Sequence, residues 1–390
     1  MGRYLRRVGE AFRKGDLVLL IMCVALNVFG MLMIASTTNQ VGPLRYLIVQ
    51  GAAAALGVLM YVLVSSVDTE FFSEHRYWLV VFNIVLLLML IPFGTDGGTG
   101  NRSWLDFAFL PFYIQPAEIC KISYILIMAS VMASYQNRIS SVRSVFTMVF
   151  HLGLLVGLNM VLSGDLGVSL IFVFIFVGMA FCGGVHALWF LAAIGGIVAL
   201  FPILWNFLDD YQKLRIEVLF NPDLDPLGID ARYHTVRALR SLTGGGMTGQ
   251  GLFQGHRTQT EGALFAQHTD YIFAAIGEEL GFVGCALVVL ALLAIIMRII
   301  WVGTRSQDYM RRLVCFGCAS ALIFQVLSNI GMCIGITPVI GLTLPFISYG
   351  GSSIVTLYTM LGLVSGVYAR PAPTSLERYV QPPYMYRVKR

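Results

Sequence analysis

Charge is what this chain has least of. Asp, Glu, Lys and Arg make up 12% of its 390 residues, about half the share of an ordinary soluble protein. With 57% hydrophobic residues and a mean hydropathy of +0.77, disorder, a collagen-like fibre and a secreted disulfide scaffold are all excluded. Cysteine is sparse too: seven, an odd number, scattered through apolar stretches. Cys315 and Cys318 sit three apart with no further ligands converging on them, so they read as packing residues, not metal ligands. The net charge of +5 is to be read by its sidedness across a membrane and implies no nucleic-acid partner.

What is present is a series of apolar runs. A bilayer core of about 30 Å needs roughly 20 apolar residues per helix. Ten runs qualify, near Asp16–Ser36, Leu44–Val64, Tyr77–Phe93, Pro116–Tyr135, Val145–Leu162, Leu166–Cys182, Val185–Phe207, Tyr271–Val302, Leu313–Ile334 and Leu344–Tyr368. They are continuous, not alternating, which excludes a transmembrane β-barrel. The expected fold is an all-α polytopic membrane protein of ten transmembrane helices, with a large extracytoplasmic loop between helices 7 and 8.

The first run follows Arg3, Arg6, Arg7, Arg13 and Lys14. It is too long for a signal-peptide core and lacks a cleavage site, so it reads as an uncleaved anchor. A cytoplasmic N-terminus puts 17 of the 26 basic residues inside, including Arg298, Arg305, Arg311, Arg312 and the tail residues Arg387, Lys389 and Arg390. An even number of spans returns the C-terminus to the same side. The expected organisation is a cytoplasmic segment 1–15, a membrane domain 16–369 containing an outer loop 208–270, and a cytoplasmic tail 370–390. Within the loop, Tyr233, Val236, Leu239 and Leu242 recur every three residues among Arg232, Arg237 and Arg240. That spacing predicts a short amphipathic helix on the outer membrane surface, and Tyr211–Phe220 is a second of the same kind.

Ionisable groups in or at the mouth of membrane segments default to functional hypotheses. Here they are Glu118, Lys121, Asp165, Asp270, Glu278 and Glu279, with Arg45 and Arg102 at outer ends. Glu118 and Lys121 are three apart and share a helix face, as an ion pair for packing or for a site. Asp165 opens the sixth helix, where capping is as good an account as chemistry. Asp270 opens the eighth helix after His268 and Thr269, and capping alone would also explain it. It follows a Gly-rich stretch, Gly244 to Gly251 including Gly249, of the kind whose amides can cradle an anion. Glu278 and Glu279 point about 100° apart, so at most one faces Asp270. Cations, Gly-rich backbone and a carboxylate facing the outer side suit a polyprenyl-pyrophosphate-linked sugar donor. An ion-coupled transporter with a lined cavity fits the composition equally.

Four blocks carry a resemblance. They are Ile114-Gln115-Pro116-Ala117-Glu118-Ile119-Cys120-Lys121, the Gly-rich stretch, Gln267-His268-Thr269-Asp270-Tyr271 running on to Gly277-Glu278-Glu279-Leu280-Gly281, and Asn329-Ile330-Gly331-Met332 followed by Leu344-Pro345-Phe346-Ile347-Ser348-Tyr349-Gly350-Gly351-Ser352-Ser353. In order and spacing the chain resembles the SEDS family of peptidoglycan polymerases, the group of RodA, FtsW and SpoVE, whose work is in cell shape and cell division. The resemblance implies a glycosyltransferase of the bacterial cytoplasmic membrane that polymerises lipid II into glycan strands, usually beside a class B penicillin-binding protein. Undecaprenyl pyrophosphate would be the leaving group. It further implies Asp270 as general base for the acceptor hydroxyl. Glu118, Lys121, Asp165, Arg102, Arg45, His268, Thr269, Gly249 and Ser348 are the expected substrate-binding residues. No cofactor is implied with certainty; a divalent cation could assist the pyrophosphate, although no carboxylate cage is visible. Two departures stand out: Ser163-Gly164 replaces a common Gln-Pro before Asp165, and His234 and Arg237 replace two amides, adding positive charge near the pyrophosphate. The alternatives are a lipid II flippase and a non-catalytic scaffold for the penicillin-binding protein.

Overall fold

A computed structural model describes residues 14–96, 102–107, 113–206, 210–225 and 232–370. The basic residues Arg3 to Arg13 and the tail residues Arg387, Lys389 and Arg390 lie outside the described residues. The chain is a helical bundle. In order come α1 (Leu17–Thr37), α2 (Pro43–Ser65), α3 (Thr69–Glu74), α4 (Arg76–Leu88), α5 (Leu90–Phe93), α6 (Pro116–Ser134), α7 (Val142–Leu162), α8 (Leu166–Cys182) and α9 (Ala187–Asn206). They are followed by α10 (Asp210–Phe220), α11 (Tyr233–Gly245), α12 (Ile272–Arg305), α13 (Tyr309–Ile334) and α14 (Gly351–Ala369). A two-stranded hairpin, β1 (Gly94–Thr95) with β2 (Trp104–Leu105), follows α5.

Among the described residues eight helices are long and apolar enough to cross a membrane, and the shorter apolar segments Leu166–Cys182 and Ala187–Pro202 stand at the sixth and seventh apolar runs. The last run is corrected: residues 344 to 350 are not helical, and α14 begins only at Gly351. Gly350 and the buried Ser348 lie in that irregular stretch, whose polar groups find partners inside the protein, as irregular backbone at membrane depth requires.

Small residues let the core helices approach. α14 lies along α2, where a Cβ on Gly362 would come within 2.7 Å of the Tyr61 carbonyl oxygen and one on Gly366 within 3.1 Å of that of Ser65. Between lipid-facing helices there is little hydrophobic drive, so close van der Waals contact of this kind holds the bundle. α6 and α14 are buried along most of their length; the side chains of α9 are mostly exposed.

The 34-residue α12 is broken at Gly281, whose φ of 68° and ψ of −166° are non-helical. A break frees backbone groups that membrane burial would leave unsatisfied. The Gly-rich stretch takes them up. Phe282 and Val283 N–H donate to the carbonyls of Gly246 (2.9 Å) and Met247 (3.2 Å), and Gln250 and Gly251 N–H donate to those of Glu278 (2.9 Å) and Glu279 (3.0 Å). Gly249 has a φ of 81°, and a Cβ there would overlap the Glu279 carbonyl. Only glycine tolerates both conditions.

α11 forms as the periodicity predicts, but it docks on protein, and part of its apolar stripe docks with it: Leu242 packs at Gly277 of α12 and Leu239 at Gly335, just past α13. Ala238, Ser241 and Gly245 are its buried residues, and a Cβ on Gly245 would overlap the Gly277 carbonyl of α12. The expected layout, flat on the membrane by Tyr233, Val236, Leu239 and Leu242, is therefore corrected: a small-residue stripe seats the helix on protein. α10 covers the second predicted segment.

Candidate functional site

Asp270 lies one residue before the cap of α12, half-buried at the end of a tight turn. Thr269 and Tyr271 N–H both donate to the carbonyl of Ala266, whose φ is 46°. This turn meets the irregular segment before α14, in which Phe346 has a φ of 65°. Tyr349 N–H donates to the His268 carbonyl at 2.8 Å, and Ser348 Oγ donates to the Thr269 carbonyl at 2.6 Å. Left-handed backbone at a residue other than glycine stores strain that the surroundings must hold. Here two such residues flank the candidate base, one on each apposed loop.

The carboxylate of Asp270 accepts no hydrogen bond among the described residues, and Gly341 lies alongside it. Burial, then the charge of Asp165, pushes its pKa up to about 6. A carboxyl raised by desolvation and by a neighbouring like charge is what a general base near neutral pH requires. Asp165 caps α8 through Val168 N–H (3.1 Å) and also receives a hydrogen bond from Gln115 Nε2 (3.2 Å). Its own pKa is raised, by burial first; backbone hydrogen bonds and the Lys121 charge act against that, while the Glu118 charge adds to it. Gly167 lets α8 come close to the segment bearing Gly341, for a Cβ there would sit 2.5 Å from the Ile340 carbonyl oxygen.

Behind Asp165 stand Glu118 and Lys121, ion-paired at 2.8 Å with both side chains buried. Thr356 Oγ1 on α14 donates to Glu118 Oε2 at 3.0 Å. The four ionisable residues Asp270, Asp165, Glu118 and Lys121, drawn from α6, α8 and the start of α12, form one polar tract. Among the described residues there is no group of three His, Cys, Asp or Glu side chains set to hold a metal.

The rim is aromatic. Tyr46 packs edge-on against His268 and Tyr349, both at 5.1 Å between ring centres, and burial lowers the His268 pKa. Arg45 is exposed beside this cluster, and its charge is felt by Tyr349.

Three expected substrate ligands have other work. Arg102 donates to the carbonyls of Gly94 (2.9 Å) and Ile91 (3.0 Å), closing the end of α5. The Gly249 amide donates to the Gly245 carbonyl at 2.8 Å, so the expected anion cradle is corrected to a patch over the broken helix. Ser348 braces the Asp270 turn and also accepts from Leu344 N–H. Nor do Glu278 and Glu279 bond Asp270. Glu279 accepts from Ser36, Thr258, Gln259 and Phe253, and Glu278 from Arg257 N–H, so both pin the loop down. Arg237 likewise donates to the Gly262 and Ala263 carbonyls and stacks on Tyr233 at 4.2 Å. Its guanidinium thereby braces the loop. In the other departure, Ser163 Oγ accepts from Asp165 N–H and steadies the cap.

An amide carries no charge to mark it in an apolar run, yet one supports this site. Gln50 donates to the Ser348 carbonyl and accepts from Gly350 N–H. Its signal was an amide in an otherwise apolar run.

The fold and site together define a helical integral membrane protein with a tract of ionisable side chains, Asp270, Asp165, Glu118 and Lys121, at one end of its bundle. The chain belongs to the FtsW, RodA and SpoVE family of cell cycle proteins, whose model matches residues 17–371. It is 32% identical to the peptidoglycan glycosyltransferase MrdB of Escherichia coli K12 over 361 residues, 90% of this chain and 93% of that one. It is 30% identical to a probable peptidoglycan glycosyltransferase FtsW of Geobacter metallireducens over 370 residues, 93% of this chain and 96% of the relative. Two solved structures share the fold. A chain from a peptidoglycan synthase complex, described for its coordination of polymerization and crosslinking, has a TM-score of 0.76 at 27% identity, covering 91% of this chain and 97% of that one. An aspartate-to-alanine mutant of the rod shape determining protein RodA of Thermus thermophilus has a TM-score of 0.67 at 25% identity, with the same coverage.

Proposed function

We propose that the chain is a peptidoglycan glycosyltransferase of a bacterial membrane, polymerising lipid II into glycan strands with Asp270 as general base. The observation that carries this reading is the Asp270 carboxylate, half-buried, without a hydrogen-bond donor among the described residues and titrating near 6 in a chain of this family. An acceptor hydroxyl gives its proton to Asp270 as its oxygen bonds to the anomeric carbon of the donor. The bond from that carbon to the pyrophosphate oxygen breaks, and undecaprenyl pyrophosphate leaves with the electron pair. Asp165 keeps Asp270 basic by its charge, and the Glu118–Lys121 pair sets the field around Asp165. Arg45, His268 and Thr269 remain as substrate-binding residues at the rim, while Ser348 braces the site, Gly249 packs on the broken α12 and Arg102 closes α5. Both termini lie in the cytoplasm on the positive-inside count, which puts Asp270 on the outer side. A class B penicillin-binding protein is the expected cross-linking partner.

The test is lipid II polymerisation by the purified chain, with and without such a partner, comparing wild type with Asp270→Asn. Glycan ladders from wild type and none from the variant are expected. Near-normal ladders from the variant remove Asp270 as base. No ladder from wild type with a matched partner moves the reading to a flippase or scaffold, to be separated by lipid II translocation in vesicles.

A further inference from the structure

At the far end of α12 from Asp270 lies a cavity of about 510 Å³, lined chiefly by Lys14, Trp301, Arg305, Arg311, Tyr368 and Arg370. Its charges do not balance. Arg311 and Arg370 share Asp68 at 3.3 and 3.8 Å, and Arg298 is paired with Asp16 at 2.8 Å. The Asp308 carboxylate caps α13 through Arg311 N–H at 2.8 Å. Lys14 and Arg305 have no ion-pair partner among the described residues, and both are exposed. Arg305 is nevertheless held: its guanidinium lies over one face of Trp301 at 4.4 Å, and Arg298 lies over the same indole at 4.3 Å. Stacking of this kind fixes the plane of the guanidinium and leaves its N–H edge available.

The surroundings identify the class of ligand. Leu293, Met297 and Trp301 are four residues apart on one side of α12, and the first two are exposed apolar side chains in a membrane span. Leu17 and Val18, which follow Lys14 after Gly15 and Asp16, are exposed as well. Trp301 and Tyr368 occupy the place of interfacial aromatics. An apolar, lipid-facing track thus leads into a pocket with surplus positive charge. A free anion would have no use for the track. We infer that this pocket binds the phosphate headgroup of an anionic phospholipid, with Lys14 and Arg305 on the phosphate and the acyl chains along Leu293, Met297, Leu17 and Val18. Basic pockets between helices at a membrane surface take such headgroups.

Native mass spectrometry of the full chain in detergent, titrated with dioleoyl-phosphatidylglycerol, tests this. Each cation near a membrane surface contributes about a factor of five in affinity, so Lys14→Gln with Arg305→Gln should weaken binding about 25-fold. Lys14→Glu, at an exposed residue, should weaken it by at least the single-cation factor of about five without touching the Trp301 stack. Arg138→Gln with Arg143→Gln, which removes two exposed cations at the entry to α7, should leave binding within about twofold, and phosphatidylcholine and inorganic phosphate should not compete. Equal affinity in wild type and both Lys14 variants overturns the site. Inorganic phosphate competing as well as the lipid overturns the lipid assignment, and an equal loss in the Arg138/Arg143 variant reduces the effect to general surface charge.

Discussion

Asn329 Nδ2 donates to the backbone carbonyl of Asp270 at 2.8 Å and to that of Leu342 at 2.7 Å. One fully buried amide on α13 thereby ties the candidate base to the segment that runs beside it. Asn329→Leu removes both donors and leaves two carbonyls without them. Stability should fall by about 2 kcal/mol, and polymerisation by roughly 10- to 100-fold through misplacement of Asp270. Thermal unfolding in detergent and lipid II turnover measure the two effects. Turnover within twofold of wild type would remove the positioning role.

The raised pKa of Asp270 has two consequences of opposite sign. With Asp270 as the proposed base, polymerisation needs its ionised form, so the rate should rise with pH through about 6. Stability behaves the other way. A carboxyl whose folded pKa lies above its unfolded value stabilises fully below about pH 4, and that contribution is lost as pH rises through about 6. Asp270→Asn should therefore melt higher than wild type at pH 8, by about 3 kcal/mol at most, and the gap should narrow toward pH 4.5. A gap independent of pH would contradict the desolvated carboxylate.

Glu118 and Lys121 form a buried pair. Removing either partner alone, as Glu118→Leu or Lys121→Leu, leaves an uncompensated charge and should destabilise by about 3 to 5 kcal/mol, whereas removing both should restore most of the loss. Turnover discriminates the roles. If the pair acts only in packing, the double variant regains activity with stability; the site reading expects it to be stable and inactive.

Two glycines with positive φ separate backbone strain from close packing. Gly249→Ala combines left-handed backbone with overlap onto the Glu279 carbonyl and should destabilise by about 3 kcal/mol. Gly262, at a φ of 71° with open space around its missing Cβ, should lose only about 1 kcal/mol as alanine. Equal losses in the two would show that the loop does not pack on the broken helix.

Local chemistry made the membrane fold legible. Lipid demands long apolar runs, so a polytopic helical fold was readable from hydropathy alone, and a carboxylate beside such a run draws attention at Asp270, Asp165 and Glu118 without coordinates. The family blocks marked the same residues. What the chain could not show by itself was the use made of its glycines and arginines. A Gly-rich stretch serves an anion or a backbone equally well in one dimension; only the break at Gly281, well beyond it in the chain, commits the Gly249 amide region to α12. Arg102 and Arg237 read as free cations until the carbonyls of Gly94, Ile91, Gly262 and Ala263 come within their reach. Sequence determines which groups cannot stay in lipid unpaired. Tertiary structure decides which partner each one meets, because hydrogen bonds and charge shifts depend on distances across helices that no spacing along the chain encodes.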